Sequence, residues 1–138
     1  MVTTLPLVEK FRADGSAVSE VRMFVRARAE QANLPADTTG DLLIGVSEAC
    51  NEMLAHEQAA TLLVSWWAHD DVVEIRLKDE DVIASLRIVQ EFEDEGGFGN
   101  GGLGFPHIFA FVDEYTVRPG TSEHPSTTIR LIKETSPS

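Results

Sequence analysis

TLLVSWWAHDDVVEIRLKD, residues 61–79, holds two apolar, β-branched runs separated by Asp70–Asp71. In the second run Val73, Ile75 and Leu77 alternate with Glu74, Arg76 and Lys78. That period-2 pattern belongs to a strand with one buried and one wet face. Two such runs joined by a short polar turn predict an antiparallel hairpin. Trp66 and Trp67 are adjacent and point to opposite faces, so at least one is expected under a helix or at an interface. A sheet with one wet face needs a helical layer on the other.

The residues upstream supply that layer. Asp14, Gly15 and Ser16 form a helix-start signal, and Val18, Val21 and Val25 then recur at helical spacing as far as about Gln31. Pro35 breaks the chain, Asp37–Thr39 offers a new cap, and a second helix is predicted over 39–56. Its core stripe is Leu43, Val46, Cys50, Met53 and Leu54. LPLVEKF (5–11) reads as a short strand. Downstream, VIASLRIVQEF (82–92) fits a helix or a strand, and EFEDEGGFGNGG (91–102) reads as an acidic, glycine-rich loop. FPHIFAFVDEY (105–115) reads as a short helix with Pro106 in its first turn, where proline is tolerated. YTVRP and STTIRLIKE close the chain as strands. The order β-α-α-β-β-loop-α-β-β predicts one α+β domain over residues 1–138. It is a two-layer sandwich with helices on one face of a largely antiparallel, mixed sheet.

The totals bound the function. At 43% hydrophobic and 25% charged residues the chain has globular rather than disordered composition. No run of 18 apolar residues suggests a membrane span, and no secretory signal is visible at the N-terminus. A single cysteine, Cys50, excludes an internal disulfide and fits a reducing compartment. The expectation is a cytoplasmic protein. A net charge of −12 repels phosphate backbones, so direct nucleic-acid binding is not expected. The same acidity would suit a basic protein partner, or serve solubility alone.

The second helix places Glu48, Glu52 and His56 at successive intervals of four residues, hence on one face. A divalent cation or an acid–base role would account for two neighbouring carboxylates there; a solvated acidic face would serve equally. The spacing lacks the His-x-x-x-His pair of zinc proteases. Gly97-x-Gly99-x-x-Gly102 has the form of a dinucleotide fingerprint, but an acidic loop precedes it where a buried strand should. Gly102-Leu103-Gly104 before a helix is either a place for backbone N–H groups to hold phosphate oxygens or a hinge.

Taken in order, these segments resemble the anti-sigma factor and serine-protein kinase family of the histidine-kinase-like ATPase superfamily. VSEACNEMLAH (46–56) resembles the family's N-box helix, and LKDED (77–81) takes the place of its first glycine box. GGLGFPHIFAFVDEYTV (101–117) resembles the second glycine box and its helix, and STTIRLIKE (126–134) the last strand. The resemblance implies a Bergerat-type sandwich that binds ATP with Mg²⁺. It also implies partner switching of the kind found in stress responses: a homodimer sequesters a sigma factor and phosphorylates a small STAS-type antagonist. By position it makes Glu48 the general base and Asp79 the reader of the adenine amino group. It also puts Gly102 and Gly104 near the phosphates, Thr128 beside the adenine, and Arg22, with Arg26 one turn on, against the sigma factor. Left to themselves, these arginines would equally suit a solvated face with intrahelical pairs such as Arg26–Glu30.

Three departures from the family pattern all add negative charge. The magnesium-holding asparagine falls at Glu52, while Asn51 lies about 100° round the helix. A first-box glycine is Asp81, and Glu91, Glu93, Asp94 and Glu95 crowd the lid. Glutamate can ligate Mg²⁺ through oxygen, but its charge beside a triphosphate predicts weakened nucleotide binding. Three readings stay open: a sigma-sequestering regulator with weakened ATP chemistry, an active serine kinase using Glu48, or a degenerate ATPase-fold module for another regulator.

Overall fold

The computed structural model describes residues 5–56, 61–79, 106–118 and 127–135. Strand β1 (Leu7–Arg12) leads into helices α1 (Ala17–Gln31) and α2 (Ala36–His56), then strands β2 (Thr61–His69) and β3 (Val72–Asp79). A 3-10 helix, Pro106–Ala110, precedes β4 (Glu114–Arg118) and β5 (Thr128–Glu134). The expected element order holds within the described residues, and segment 82–92 lies outside them.

Local chemistry explains the boundaries. The N–H and hydroxyl of Ser16 both donate to Asp14 Oδ1, at 2.9 and 2.7 Å, which fixes the turn into α1. Pro35 lies in the break between the helices, as expected, but α2 begins at Ala36, before the expected cap: Thr39 N–H donates to Pro35 O at 2.9 Å, so Pro35 opens the helix. Proline suits that position because no N–H is needed there. Asp70 and Asp71 have φ of 50° and 64°, the left-handed pair that a two-residue hairpin turn requires.

The sheet order is β1-β2-β3-β5-β4, and every ladder among the described residues is antiparallel. The predicted parallel component of a mixed sheet is therefore not seen there. Side-chain alternation sends Leu62, Val64 and Trp66 of β2 and Val73, Ile75 and Leu77 of β3 to one buried face. Tyr115 and Val117 of β4 and Ile129 and Leu131 of β5 join them. Helix α1 covers this face with Val21, Phe24, Val25 and Ala29, and α2 with Leu42, Leu43, Val46, Ala49, Cys50 and Met53. Trp66 lies in that core while Trp67, on the opposite face, stacks on His69 with ring centroids 3.7 Å apart. The face carrying Trp67 has no helical layer among the described residues. No helix among them is long and apolar enough to cross a membrane.

Two contacts set the position of α2. Lys133 Nζ of β5 reaches Asp41 Oδ2 at 3.0 Å, tying the start of α2 to the sheet. Farther along, a Cβ added at Gly45 would lie 2.8 Å from Val112 Cγ1, closer than carbon atoms can pack. Glycine costs a helix about 1 kcal/mol relative to alanine, and here it permits the close approach of α2 to the segment before β4. Gly45→Val is expected to lower unfolding free energy by about 1–3 kcal/mol, the usual size of overpacking. Urea titration checks this, and an unchanged midpoint would contradict it.

Candidate functional site

The C-terminal half of α2 carries the candidate chemistry. Glu48 is half-buried and Glu52 is only 4% exposed, while Asn51 between them is exposed. The helix thus turns the Glu52 position, and not that of Asn51, into the protein. Beneath it lies Tyr115 of β4, which is 1% exposed and whose hydroxyl makes no hydrogen bond among the described residues. Burial pushes the Tyr115 phenol well above its ordinary range, and the negative charges of Glu52 and then Glu48 push it further. Both carboxylates of α2 thus act on Tyr115 as sources of negative potential. Cys50, on the core side of the same helix turn, has its thiol pushed up to about 11 by burial alone. It is a packing residue, as its place in the apolar stripe predicted.

Asp79 ends β3 on the same, helix-covered side of the sheet and is fully buried. Thr127 N–H donates to Asp79 Oδ2 at 3.2 Å, and Asp79 N–H donates to Thr127 O at 3.1 Å. A two-way bridge to the residue before β5 fixes the carboxylate of Asp79. Thr128 pairs with Lys78 and Arg118 in the ladders, so its side chain belongs to the opposite, open face. The structure therefore puts Thr127, not Thr128, beside Asp79, and Thr128 on the other face of the sheet.

Gly102 and Gly104, Asp81, the four lid carboxylates and the side chains of His56 and His107 lie outside the described residues. Among the described residues no group of three His, Cys, Asp or Glu side chains is placed to hold a metal ion. Arg22 is half-buried between the helices, where its guanidinium donates to Ser47 Oγ at 2.6 Å and Leu43 O at 3.3 Å. Ser47 Oγ in turn donates to Leu43 O at 2.6 Å. Arg22 therefore clamps α1 to α2. Arg26 is exposed and makes no ion pair among the described residues, so the Arg26–Glu30 pair weighed from sequence is not formed there.

Tyr115 and Thr127 border the candidate site without belonging to any motif. Tyr115 lies in a strand whose alternation places it inward, which is a core signal and not a chemical one. Thr127 is found only from the register of β3 against β5.

A buried acidic end of β3, a central helix carrying two carboxylates toward the sheet, and a five-stranded antiparallel sheet under two helices describe an architecture that a family model matches. The model for the histidine-kinase-like ATPase domain matches residues 11–133. The chain belongs to that family. This family includes the RsbW-type anti-sigma-factor kinases. Among solved structures, the crystal structure of the RsbU and RsbW domains of Rv1364c from Mycobacterium tuberculosis superposes with a TM-score of 0.70 at 19% sequence identity. That match covers 98% of this chain and 34% of the other, so the chain spans about a third of the solved protein it resembles. At this identity the likeness establishes the shared fold. No curated protein matches the sequence.

A histidine-kinase-like ATPase domain typically binds ATP with Mg²⁺, and the two ends of this site suit that ligand differently. The fixed, buried carboxylate of Asp79 is a proper acceptor for an exocyclic amino group. At the other end Glu52 offers oxygen to a cation but adds a buried charge to that of the half-buried Glu48, where a triphosphate brings several more. The adenine end fits; the metal end fits only if cation attraction exceeds this repulsion.

Proposed function

We propose that this chain is an anti-sigma regulatory module of a partner-switching system. In this reading a dimer of the chain holds a sigma factor, a STAS-type antagonist releases it, and ATP chemistry is weak. The family assignment supports the anti-sigma role, since RsbW-type proteins belong to the same family. The observation that carries the weakened ATP chemistry is the burial of Glu52: its carboxylate lies inside the site, felt by Tyr115, and not at a solvated rim. Glu48, Asp79, Gly102 and Gly104 match, in sequence order alone, the residues that the family resemblance assigns to nucleotide binding. Arg26, exposed on α1, is the cation available to an acidic sigma surface.

Two measurements test the parts separately. Mass spectrometry of what co-purifies from the native cell is expected to find a sigma factor and a small antagonist; a preparation free of both removes the anti-sigma reading. Isothermal titration with Mg²⁺ and ATP is expected to show weak binding or none. Tight, Mg²⁺-dependent binding would restore the active-kinase reading, with Glu48 as general base.

A further inference from the structure

The face of the sheet opposite the helices carries a charge pattern that the nucleotide site does not use. Cross-strand register places Lys78, Thr128 and Arg118 in one row across β3, β5 and β4. Arg76, Arg130 and Thr116 form the next row. These side chains line a groove of about 560 Å³, bordered on the β1 side by Val8 and Leu63, with no acidic residue among its described lining residues. Four of the chain's 11 basic residues thus share one groove in a protein with 23 acidic ones.

The arrangement carries a cost that points outward. Arg76 and Arg130 are direct cross-strand partners, and like charges in that relation destabilise a sheet. Among the described residues each is steadied from one end only: Arg76 by Glu74, and Arg130 by Glu114 at 3.2 Å. Both carboxylates belong to the following row, away from the groove. Lys78 and Arg118 are exposed and have no ion pair among the described residues. A row of cations with its counter-charges on one side presents a positive potential on the other.

Three kinds of anionic occupant are separable on physical grounds. A nucleic acid meets a long-range field from a molecule of net charge −12, which opposes a long phosphate backbone. A second copy of the chain in a two-fold contact would set this patch against itself, cation against cation. An acidic polypeptide segment has neither difficulty, and apolar side chains on it would meet Val8, which is 61% exposed, and Leu63. We propose that the open face of the sheet, across β3, β5 and β4, docks an acidic, partly apolar polypeptide segment of another protein. This surface is on the far side of the sheet from Asp79, Glu48 and Glu52, so it operates whether or not nucleotide is bound.

The test uses the full chain and a fluorescein-labelled peptide alternating Glu or Asp with Leu and Phe, read by fluorescence anisotropy at low and physiological salt. Saturable binding that weakens with salt is expected, as charge-complementary contacts require. The Lys78→Glu/Arg118→Glu double variant should lose at least tenfold in affinity with an unchanged melting temperature. Lys78→Arg/Arg118→Lys should bind as the parent does. The proposal is overturned if the charge-reversed variant binds equally well, or if the parent chain does not bind the peptide. Tighter binding of a single-stranded oligonucleotide or of polyphosphate would also overturn it, as would a change of oligomeric state in the charge-reversed variant.

Discussion

Glu52→Asn is expected to raise the affinity for ATP with Mg²⁺ at least tenfold. Glu52 is almost fully buried on the site face of α2, and its negative charge is felt at Tyr115 together with that of Glu48. Two unit charges about 4 Å apart at an effective dielectric near 20 interact by roughly 4 kcal/mol. About a third of that energy is a factor of ten in a binding constant. Removing the carboxylate therefore reaches the threshold as long as no more than about two-thirds of the repulsion is screened or offset by cation ligation. Asparagine keeps an oxygen for the metal and shortens the side chain, while Glu52→Gln removes charge at constant length. Comparing the two by isothermal titration separates charge from reach. A gain in both identifies electrostatics as the barrier, and a gain in Asn alone identifies geometry. Unchanged binding in both would mean that Glu52 is not what weakens the site, leaving Asp81 and the acidic lid as the candidates.

The fold was largely legible because each element carried its own local signal. Alternation in VVEIRLKD, helical spacing around Val21 and Val25, and the Asp70–Asp71 turn each act over a few residues, and the structure forms all of them. What stayed hidden depends on long-range register. Thr127 and Thr128 are equally plausible neighbours of Asp79 until the pairing of Lys78 with Thr128 fixes which of the two turns inward. Arg22 reads as a surface cation because its acceptors, Ser47 and Leu43, lie on another helix. Its engagement there also makes Arg22→Glu an unsuitable probe of partner binding, since the substitution would break the clamp between α1 and α2. Arg26→Glu leaves that clamp intact. The basic groove was invisible for the same reason: Arg76 and Arg130 lie 54 positions apart in the chain and become neighbours only in the sheet. Net charge, read as a sum, concealed it altogether.

Stability should fall steeply with rising pH above about 9, in two stages assigned to Cys50 and Tyr115. Both groups are neutral when folded and buried, and burial raises the pKa of each. Cys50 moves from an ordinary 9.0 to about 11. Below pH 9.0 the thiol is neutral in the folded and unfolded chain alike, and its full contribution to stability is present. Between 9.0 and about 11 only the unfolded thiol ionises, so the unfolded state is favoured progressively. Above that range both states are ionised and this loss is complete, at about 3 kcal/mol in total. Tyr115 adds a second loss that begins above its ordinary 10.0 and continues as pH rises toward its higher folded value. Its raised pKa comes first from burial and then from Glu52 and Glu48, so Glu52→Gln should shrink this stage without touching the first. Urea unfolding between pH 8 and 11 measures the sum. Cys50→Ala should abolish the fall that begins near pH 9, and Tyr115→Phe the later one, each judged by its slope against pH and not by its stability at pH 8. A Cys50→Ala variant with the parent's slope would show that the thiol does not control alkaline unfolding. A Tyr115→Phe variant with the parent's slope would remove the inference that Tyr115 lies, un-ionised, against the two carboxylates of α2.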